Sequence, residues 1–397
     1  MKKYDFESVM SREGLSSIKT DGGIIKSMLG LNYYDDTISM WVADMDFATA
    51  PEIIDAIKKR TDQLLLGYTK TNDAYFESII NWYNKRHKMK FNKESIVFSN
   101  GTVSAIRNAI RAFTSEGDGI VIQPPVYFPF EGSIKSTGRT VLYNTIIKNE
   151  NNVYHIDFEG FEKLCEDENT KMFIFCNPHN PIGQIWSKED SQKLLDIAHA
   201  NNVLVFSDEI HADLIRKNGQ FTSLLNLENN ENVVVATALN KTFNVAGLHM
   251  TNLIIENEEL RNTFNAYTGW VGMSPLVLEA TIAAYNQGEE WVTALNEVID
   301  NNLYIMKQFI DDKLPDVKFE IPAGTYLAWL DFNAYNISEK ELLEKLADDG
   351  HLILEGGSMF GKTSEKFLRL NVACPEKVLV EALARLEGVV KKIEKLK

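Results

Sequence analysis

Short runs of apolar residues alternate with amphipathic stretches through the middle of the chain. The runs lack the polar alternation of a half-exposed strand, so they predict strands that are buried on both faces. The amphipathic segments between them, such as residues 104–113 and 188–200, predict helices that cover a parallel sheet. The pattern therefore predicts an α/β fold, with strands at residues 95–98, 119–122, 171–175, 203–206, 233–236 and 253–255.

The pattern changes near Gly288. Apolar residues recur at helical spacing over residues 289–312, with the polar Asn302 at one expected apolar position. Further on, the sequence predicts strands at 325–331, 351–354 and 367–372, with helices at 338–348 and 376–392. The first 48 residues look irregular, and we expect them to pack against this second unit. We therefore predict a large α/β domain of residues 49–288 and a small α+β domain of residues 1–48 and 289–397.

Composition narrows the range of partners. The 397 residues are 44% hydrophobic and 24% charged, which is ordinary globular usage. The net charge of −15 argues against binding to nucleic acid or to a membrane surface, and it favours small-molecule partners. We predict a cytoplasmic protein for three reasons. The three cysteines form no CxxC pair and suggest no disulfide framework, no stretch is apolar enough to span a membrane, and the N-terminal residues do not resemble a secretory signal.

Chemically useful residues follow the predicted strands. In an open parallel sheet, ligands bind beyond the carboxyl ends of the strands. There the sequence supplies a glycine-led helix start, an aromatic ring, an amide, a carboxylate with an imidazole, and an amine. In chain order these are Gly101 with Thr102 and Val103, then Tyr127, Asn180, Asp208 with His211, and Lys241.

This set suits pyridoxal 5′-phosphate (PLP) and includes no metal site. PLP needs a lysine to hold its aldehyde, here Lys241, and a carboxylate to keep its ring nitrogen protonated, here Asp208. Backbone N–H groups at Gly101–Val103 can hold the phosphate. Tyr127 can stack on the ring, and Asn180 can donate to the ring oxygen.

Each of these residues also has an ordinary explanation. Lys241 could be a solvated surface lysine, Asp208 a helix cap, and His211 a structural histidine. Asn180 before a proline is typical of a turn, and a tyrosine beside two prolines, such as Tyr127, packs inside the protein as often as it stacks on a ligand. The functional interpretation depends on their occurrence together at successive strand ends.

Several motifs resemble a known superfamily. Residues 177–183 (NPHNPIG), 207–211 (SDEIH) and 240–248 (NKTFNVAGL) resemble the fold-type I PLP-dependent aminotransferases. Within that superfamily, other segments are similar to the MalY/PatB-type cystathionine β-lyases, also called C–S lyases. These segments are residues 41–47 (WVADMDF), 67–69 (GYT), 208–211 (DEIH), 325–332 (TYLAWLDF) and 369–375 (RLNVACP). The resemblance runs from about residue 33 to the C-terminus and implies the aminotransferase-like fold.

The resemblance implies a role for each matching residue. Lys241 would form a Schiff base with the cofactor and then act as a base, while Asp208 would pair with the pyridine nitrogen. Asn180 would contact the ring hydroxyl, near which His211 stands where most relatives have tyrosine. Tyr127 would stack on the ring, and the phosphate would be held by Gly101, Thr102 and Val103.

The resemblance also implies a substrate contact and an oligomeric state. Arg369 would grip the substrate α-carboxylate, and Tyr68 would reach the phosphate of a neighbouring subunit, which implies a homodimer with shared active sites. The sequence departs from the common pattern at three positions. Ile182 stands where many relatives have a turn threonine, and Asn240 stands where they often have a serine. His249 stands where many have an arginine that binds the phosphate, so more of the phosphate binding depends on the helix start.

The resemblance favours α,β-elimination from L-cystathionine or related cysteine S-conjugates, giving a thiol, pyruvate and ammonia. Transamination of an amino acid and a keto acid on the same scaffold is the alternative, and no motif cleanly separates the two reactions. A purely regulatory binder is a third possibility, but it would be free to lose Lys241, Asp208, Asn180 and Arg369. A DNA-binding fusion is disfavoured because the chain carries no basic helix-turn-helix segment.

Overall fold

The computed structural model describes residues 3–149 and 153–393. The strands are β1 (Ile38–Ser39), β2 (Ile96–Ser99), β3 (Gly119–Ile122), β4 (Thr140–Tyr143), β5 (Ile147–Lys148), β6 (Tyr154–His155), β7 (Thr170–Cys176), β8 (Leu204–Asp208), β9 (Val233–Thr237), β10 (Thr251–Ile254), β11 (Leu327–Asp331), β12 (Leu352–Ile353), β13 (Glu355–Gly356) and β14 (Phe367–Asn371). The α-helices are α1 (Gly22–Leu29), α2 (Pro51–Thr61), α3 (Asp73–His87), α4 (Thr102–Phe113), α5 (Pro129–Ser136), α6 (Phe158–Cys165), α7 (Lys188–Ala200), α8 (Leu239–Thr242), α9 (Glu258–Thr268), α10 (Pro275–Gln287), α11 (Glu289–Lys313), α12 (Glu339–Gly350) and α13 (Glu376–Val390). Short 3₁₀ helices span Ile18–Thr20, Lys93–Ser95, Leu224–Asn226, Ala246–Leu248, Gly357–Phe360 and Lys362–Ser364.

A seven-stranded sheet in the order β2-β10-β9-β8-β7-β3-β4 forms the centre of the molecule. Its strands are parallel except β10, which runs antiparallel to both of its neighbours. The α/β prediction is confirmed, and all six predicted strands lie in this sheet with ends within two residues of those predicted. Sequence reasoning missed β4, an edge strand whose residues are all at least partly exposed.

The apolar runs form strands because both faces of the sheet are covered. Along a strand, successive side chains point to opposite faces. Phe173, Val205 and Val235 accordingly belong to one large hydrophobic cluster, while their neighbours Ile174 and Phe206 belong to a second. Burial on both sides removes any need for alternating polar residues, which explains the continuous apolar runs.

The predicted long helix is α11, which ends at Lys313 rather than at residue 312. Asn302 interrupts its apolar pattern because its buried side chain donates hydrogen bonds to the carbonyl oxygens of Val372 and Cys374, both at 2.8 Å. The amide therefore ties α11 to the segment after β14. That strand forms a separate antiparallel sheet in the order β11-β14-β13.

Two predictions in the outer parts of the chain needed correction. The predicted irregular N-terminal segment contains α1, which Asp21 caps by accepting a hydrogen bond from the Ile24 N–H, and which Gly30 ends at a φ of 73°. The predicted strand at 351–354 is shorter than predicted, because only Leu352–Ile353 (β12) forms a strand there, and it pairs with β1. Strand β13 follows outside the predicted range and pairs with β14 in a different sheet. Residues 1–2 and 394–397 of the predicted small domain lie outside the described residues.

Parts of the N-terminal segment pack against the C-terminal unit. Strand β1 runs parallel to β12, and Ile25 and Trp41 share a hydrophobic cluster with Ala347 and Ile353. The division into domains at residues 48/49 and 288/289 stays a prediction. In the described ranges 3–149 and 153–393, no helix has the length and apolarity needed to cross a membrane.

Candidate active site

A cavity of about 500 Å³ opens at the carboxyl edge of the central sheet. Strands β2, β3, β7, β8 and β9 all end at this edge because they run in the same direction. Every predicted site residue except Tyr68 lines the cavity. These residues are Gly101, Thr102, Val103, Tyr127, Asn180, Asp208, His211, Lys241 and Arg369.

Lys241 lies on α8, a single turn directly after β9. Its Nζ donates a hydrogen bond of 2.7 Å to the carbonyl oxygen of Ala43, which also lines the cavity. Burial, with a further contribution from Arg369, lowers the pKa of Lys241 to about 8, although Asp44 and Asp208 oppose the shift. An amine with a pKa near neutrality is available as a nucleophile and as a base.

Asp213 holds the helix that carries Lys241, and sequence reasoning did not find it. Its buried carboxylate accepts hydrogen bonds from the Trp82 indole at 3.0 Å, the Arg86 guanidinium at 2.9 Å and Thr242 at 3.1 Å. His87 Nε2 lies 2.8 Å from the same carboxylate. Since these partners come from α3 and α8, no local pattern near Asp213 could have revealed them.

Asp208 ends β8 with its carboxylate facing the cavity. One oxygen accepts a hydrogen bond of 3.3 Å from the Ile210 N–H. Burial raises the pKa of Asp208 to about 7, while this hydrogen bond and the charge of Lys241 lower it only partly. Burying a carboxylate is costly unless a positive partner compensates its charge. A protonated ring nitrogen in the cavity is such a partner.

Arg369 is buried beside Asn180 and Glu355. Its Nη1 donates to Asn180 Oδ1 at 3.0 Å, and its Nη2 donates to the Trp41 carbonyl oxygen at 2.9 Å. Nη2 also forms an ion pair with Glu355, which lies opposite Arg369 in the register of β13 and β14. The guanidinium stacks over Phe360 at 4.8 Å from the ring centre. Sequence reasoning placed no residue of the site on β13 and therefore missed Glu355.

Glu355 is almost completely buried, so its charge depends on its surroundings. Burial raises its pKa, while the charges of Arg369 and Lys241 partly oppose this shift. The cavity thus contains two carboxylates, Asp208 and Glu355, and two cations, Lys241 and Arg369.

The start of α4 forms another wall of the cavity. Gly101 adopts a φ of 91°, in the left-handed region that favours glycine, and Thr102 begins the helix. The backbone N–H groups of a helix start, aided by the helix dipole, bind anions. Arg107, further along the same helix, also lines the cavity with His249. Arg107 was not predicted, and it offers a positive charge near the position where His249 replaces the usual arginine.

Tyr127 and His211 complete the walls. Tyr127 follows β3, and burial raises its pKa to about 12, so the phenol stays neutral. The His211 ring is buried, and its Nδ1 has no hydrogen-bond partner within residues 3–149 and 153–393. Burial, with Lys241 and Arg369, lowers the pKa of His211 well below its usual value, so the ring is neutral. A buried nitrogen of this kind is suited to a hydrogen bond with a bound group.

Tyr68 lies on the surface instead. Its side chain is 98% exposed, and its ring contacts that of Trp270, which is itself 72% exposed. Leu64, Leu65 and Leu66 precede it and are also exposed. The structure therefore does not bring Tyr68 into the cavity of its own chain.

The residues around the cavity fit PLP. A lysine with a lowered pKa, a buried carboxylate with a raised pKa and a helix start beside an arginine match its aldehyde, ring nitrogen and phosphate. The unpartnered Nδ1 of His211 adds a polar group that a bound molecule would satisfy.

Comparison with known proteins agrees with this arrangement. Cystathionine beta-lyase PatB of Bacillus subtilis is 37% identical over 389 residues, covering 97% of this chain and 99% of PatB. Cystalysin of Treponema denticola, whose crystal structure contains PLP, superimposes with a TM-score of 0.93 at 34% identity, covering 98% and 99% of the two chains. The PLP-bound C–S lyase of Staphylococcus hominis, complexed with the inhibitor L-cycloserine, gives a TM-score of 0.92 at 32% identity, covering 98% of each chain.

These similarities confirm the resemblance predicted from the sequence motifs, and the structural matches confirm the aminotransferase-like fold. Residues 35–386 also match the family described as aminotransferase class I and II. The chain belongs to the aminotransferase class I and II family.

Proposed function

We propose that this chain is a PLP-dependent carbon–sulfur lyase that converts L-cystathionine or a related cysteine S-conjugate into a thiol, pyruvate and ammonia. The observation that carries the proposal is the meeting of Lys241, Asp208 and Arg369 in one cavity. The similarity to PatB, whose name states the cystathionine β-lyase activity, supports elimination as the reaction.

Lys241 is the base in this proposal. With a pKa of about 8, a substantial fraction of its amine is neutral at physiological pH and can accept the Cα proton of the substrate. The electron pair left by that proton forms the Cα–Cβ double bond, and the Cβ–S bond breaks to release a thiolate. PLP supplies the electron sink for this chemistry, and Asp208 keeps its ring nitrogen protonated. The released aminoacrylate hydrolyses to pyruvate and ammonia.

Arg369 is the group that binds the substrate α-carboxylate. Its guanidinium is buried and held by Asn180 and the Trp41 carbonyl oxygen, so its position is set before the substrate arrives. A fixed guanidinium favours bidentate carboxylate recognition. Gly101, Thr102 and Val103 would hold the phosphate, Tyr127 would stack on the ring, and Asn180 and His211 would lie near its hydroxyl.

A homodimer with shared active sites is also part of this proposal. The exposed ring of Tyr68 next to Trp270, after three exposed leucines, is an apolar patch that a second copy of the chain would cover. Tyr68 would then reach the phosphate in the partner's site. We further propose the domain division at residues 48/49 and 288/289, and a cytoplasmic location where Cys165, Cys176 and Cys374 stay reduced.

The Lys241→Ala variant tests the lyase proposal. Purified PLP-loaded wild-type protein should release free thiol from L-cystathionine continuously, and the variant should release none above the rate without enzyme. Lys340→Ala, a change at a lysine that is 85% exposed, is the matched control and should keep wild-type activity. Normal thiol release by Lys241→Ala would refute the proposal.

A further inference from the structure

The hydrogen bonds of Arg369 leave little room for a substrate carboxylate. An arginine has five N–H donors. Nη1 donates a hydrogen bond to Asn180, while Nη2 donates one to the Trp41 carbonyl oxygen and forms an ion pair with Glu355. Nε is buried, and it has no hydrogen-bond partner within residues 3–149 and 153–393.

A bidentate carboxylate needs Nη2 in either of its two common orientations. It binds through Nη1 and Nη2 at the end of the guanidinium, or through Nε and Nη2 at its side. In this structure Nη2 donates a hydrogen bond to a backbone carbonyl oxygen and forms an ion pair with the carboxylate of Glu355. Of these two partners, only the Glu355 side chain can turn away without moving the main chain.

We propose that Glu355 competes with the substrate for Arg369: its carboxylate forms an ion pair with Nη2, the group that the substrate α-carboxylate must bind, and so it sets the affinity for substrate. This inference rests on the proposed function, because it assumes that the ligand of Arg369 is an amino-acid carboxylate. Glu355 is thus a positioning residue that acts on substrate affinity through Arg369.

The surroundings of Glu355 keep this competition in place. Its backbone is paired with that of Arg369 in the β13–β14 register, so the two side chains stay neighbours. The next residue, Gly356, is packed so closely that an added Cβ would lie 2.5 Å from Glu339 Oε1. Glu339 also accepts a hydrogen bond from the Ser358 N–H at 3.0 Å, which fixes the segment after β13. The substrate must therefore displace a side chain whose backbone is held on both sides.

Like charge explains why displacement costs affinity. Two carboxylates bound to one guanidinium repel each other. Glu355 is also nearly fully buried, so water cannot readily replace Arg369 as its partner, and displacing it costs free energy. Replacing the glutamate by the neutral, isosteric glutamine removes the repulsion and weakens the internal competitor. A hydrogen bond to a charged group contributes roughly enough for a tenfold change in affinity.

The test measures binding to the PLP-loaded enzyme rather than turnover. L-Alanine carries the α-amino and α-carboxylate groups but no β-leaving group, and its binding is followed by the change in cofactor absorbance. Isobutylamine, which has no carboxylate, is the ligand control. The expected result for Glu355→Gln is a Kd for L-alanine about tenfold lower than wild type, with the Kd for isobutylamine unchanged. For L-cystathionine, KM should fall while kcat changes little.

Glu365→Gln is the matched control variant, because it removes one negative charge from an exposed residue of the same region. It should leave both Kd values at the wild-type level. An unchanged or higher Kd for L-alanine in Glu355→Gln would overturn the proposal, and so would an equal change for both ligands. Because L-alanine binding does not require elimination, the proposal can be judged even if L-cystathionine proves not to be a substrate.

A second measurement does not depend on the folding of any variant. A crystal structure of the wild-type enzyme with PLP and bound L-alanine should show the ligand carboxylate on Nη2 of Arg369 and Glu355 turned away from it. A structure in which Glu355 keeps its contact with Nη2 while the ligand carboxylate is bound to Arg369 would overturn the proposal.

Discussion

Asp208→Asn should make the cofactor-free protein more stable at neutral pH. Asp208 is buried, and the hydrogen bond from the Ile210 N–H together with the charge of Lys241 compensates its own charge only in part. In the proposed function Asp208 pairs with the protonated ring of PLP, so without PLP its uncompensated charge lowers the stability of the protein. Asparagine has nearly the same shape and no charge, so it removes this loss of stability.

The magnitude follows from the pKa of Asp208, which burial raises from 3.8 to about 7. The native state therefore binds a proton that the unfolded state has lost between these two pH values. The stability that this proton contributes is fully present below pH 3.8 and is lost as the pH rises through 7. Three pH units correspond to roughly 4 kcal/mol.

Urea unfolding of the cofactor-free proteins at pH 5 and pH 8 measures the effect. The free energy of unfolding of Asp208→Asn, relative to wild type, should rise by up to about 3 kcal/mol between these two conditions. Asp311→Asn, at a half-exposed ion pair on α11, should follow the wild-type pH dependence. Adding PLP should make the wild-type protein the more stable of the two, because the variant lacks the carboxylate that is proposed to pair with the ring nitrogen. An equal pH dependence for Asp208→Asn and wild type would refute the reasoning.

Three further changes have defined outcomes. Asp213→Asn should lower the free energy of unfolding by about 3 kcal/mol, because it removes the buried negative charge that pairs with the partly buried Arg86. It should also lower kcat by displacing the helix of Lys241. Denaturation and steady-state kinetics check it, and wild-type values for both would contradict it. Asn302→Leu should lower the free energy of unfolding in urea by about 2 kcal/mol, because two buried carbonyl oxygens lose their hydrogen-bond donor. An unchanged free energy of unfolding would contradict the stabilising role of these two hydrogen bonds. Leu65→Asp should shift the protein from dimer to monomer in sedimentation velocity and lower activity, whereas an unchanged dimer would exclude this patch from the interface.

The sequence was most informative where burial is simple. Strands β8 and β9 are buried on both faces, so their apolar runs could be recognised without any knowledge of neighbours. Edge strand β4 has no fully buried residue, and α1 is short and held by contacts with distant residues, so neither left a clear pattern. The strand predicted at 351–354 is too long because the pairing with β1 ends at Ile353, and the chain pairs with β14 only from Glu355 onwards.

The site residues divide in the same way. Lys241 and Asp208 could be found because they stand at strand ends, where the topology of an α/β sheet places ligands. Asp213, Glu355 and Arg107 could not, because each matters through a neighbour from a distant part of the chain or through its place on the cavity wall. Glutamate in a short strand has no sequence feature that separates it from a surface residue.

Pyruvate formation from L-cystathionine without any keto acid tests the central claim most directly. The purified PLP-loaded enzyme should release pyruvate and free thiol in equal amounts over many turnovers, because elimination regenerates the cofactor without a second substrate. Formation of pyruvate that stops without added keto acid, or none at all from L-cystathionine and S-substituted cysteines, would contradict the lyase assignment. Product that then depends on an added keto acid would instead identify a transaminase.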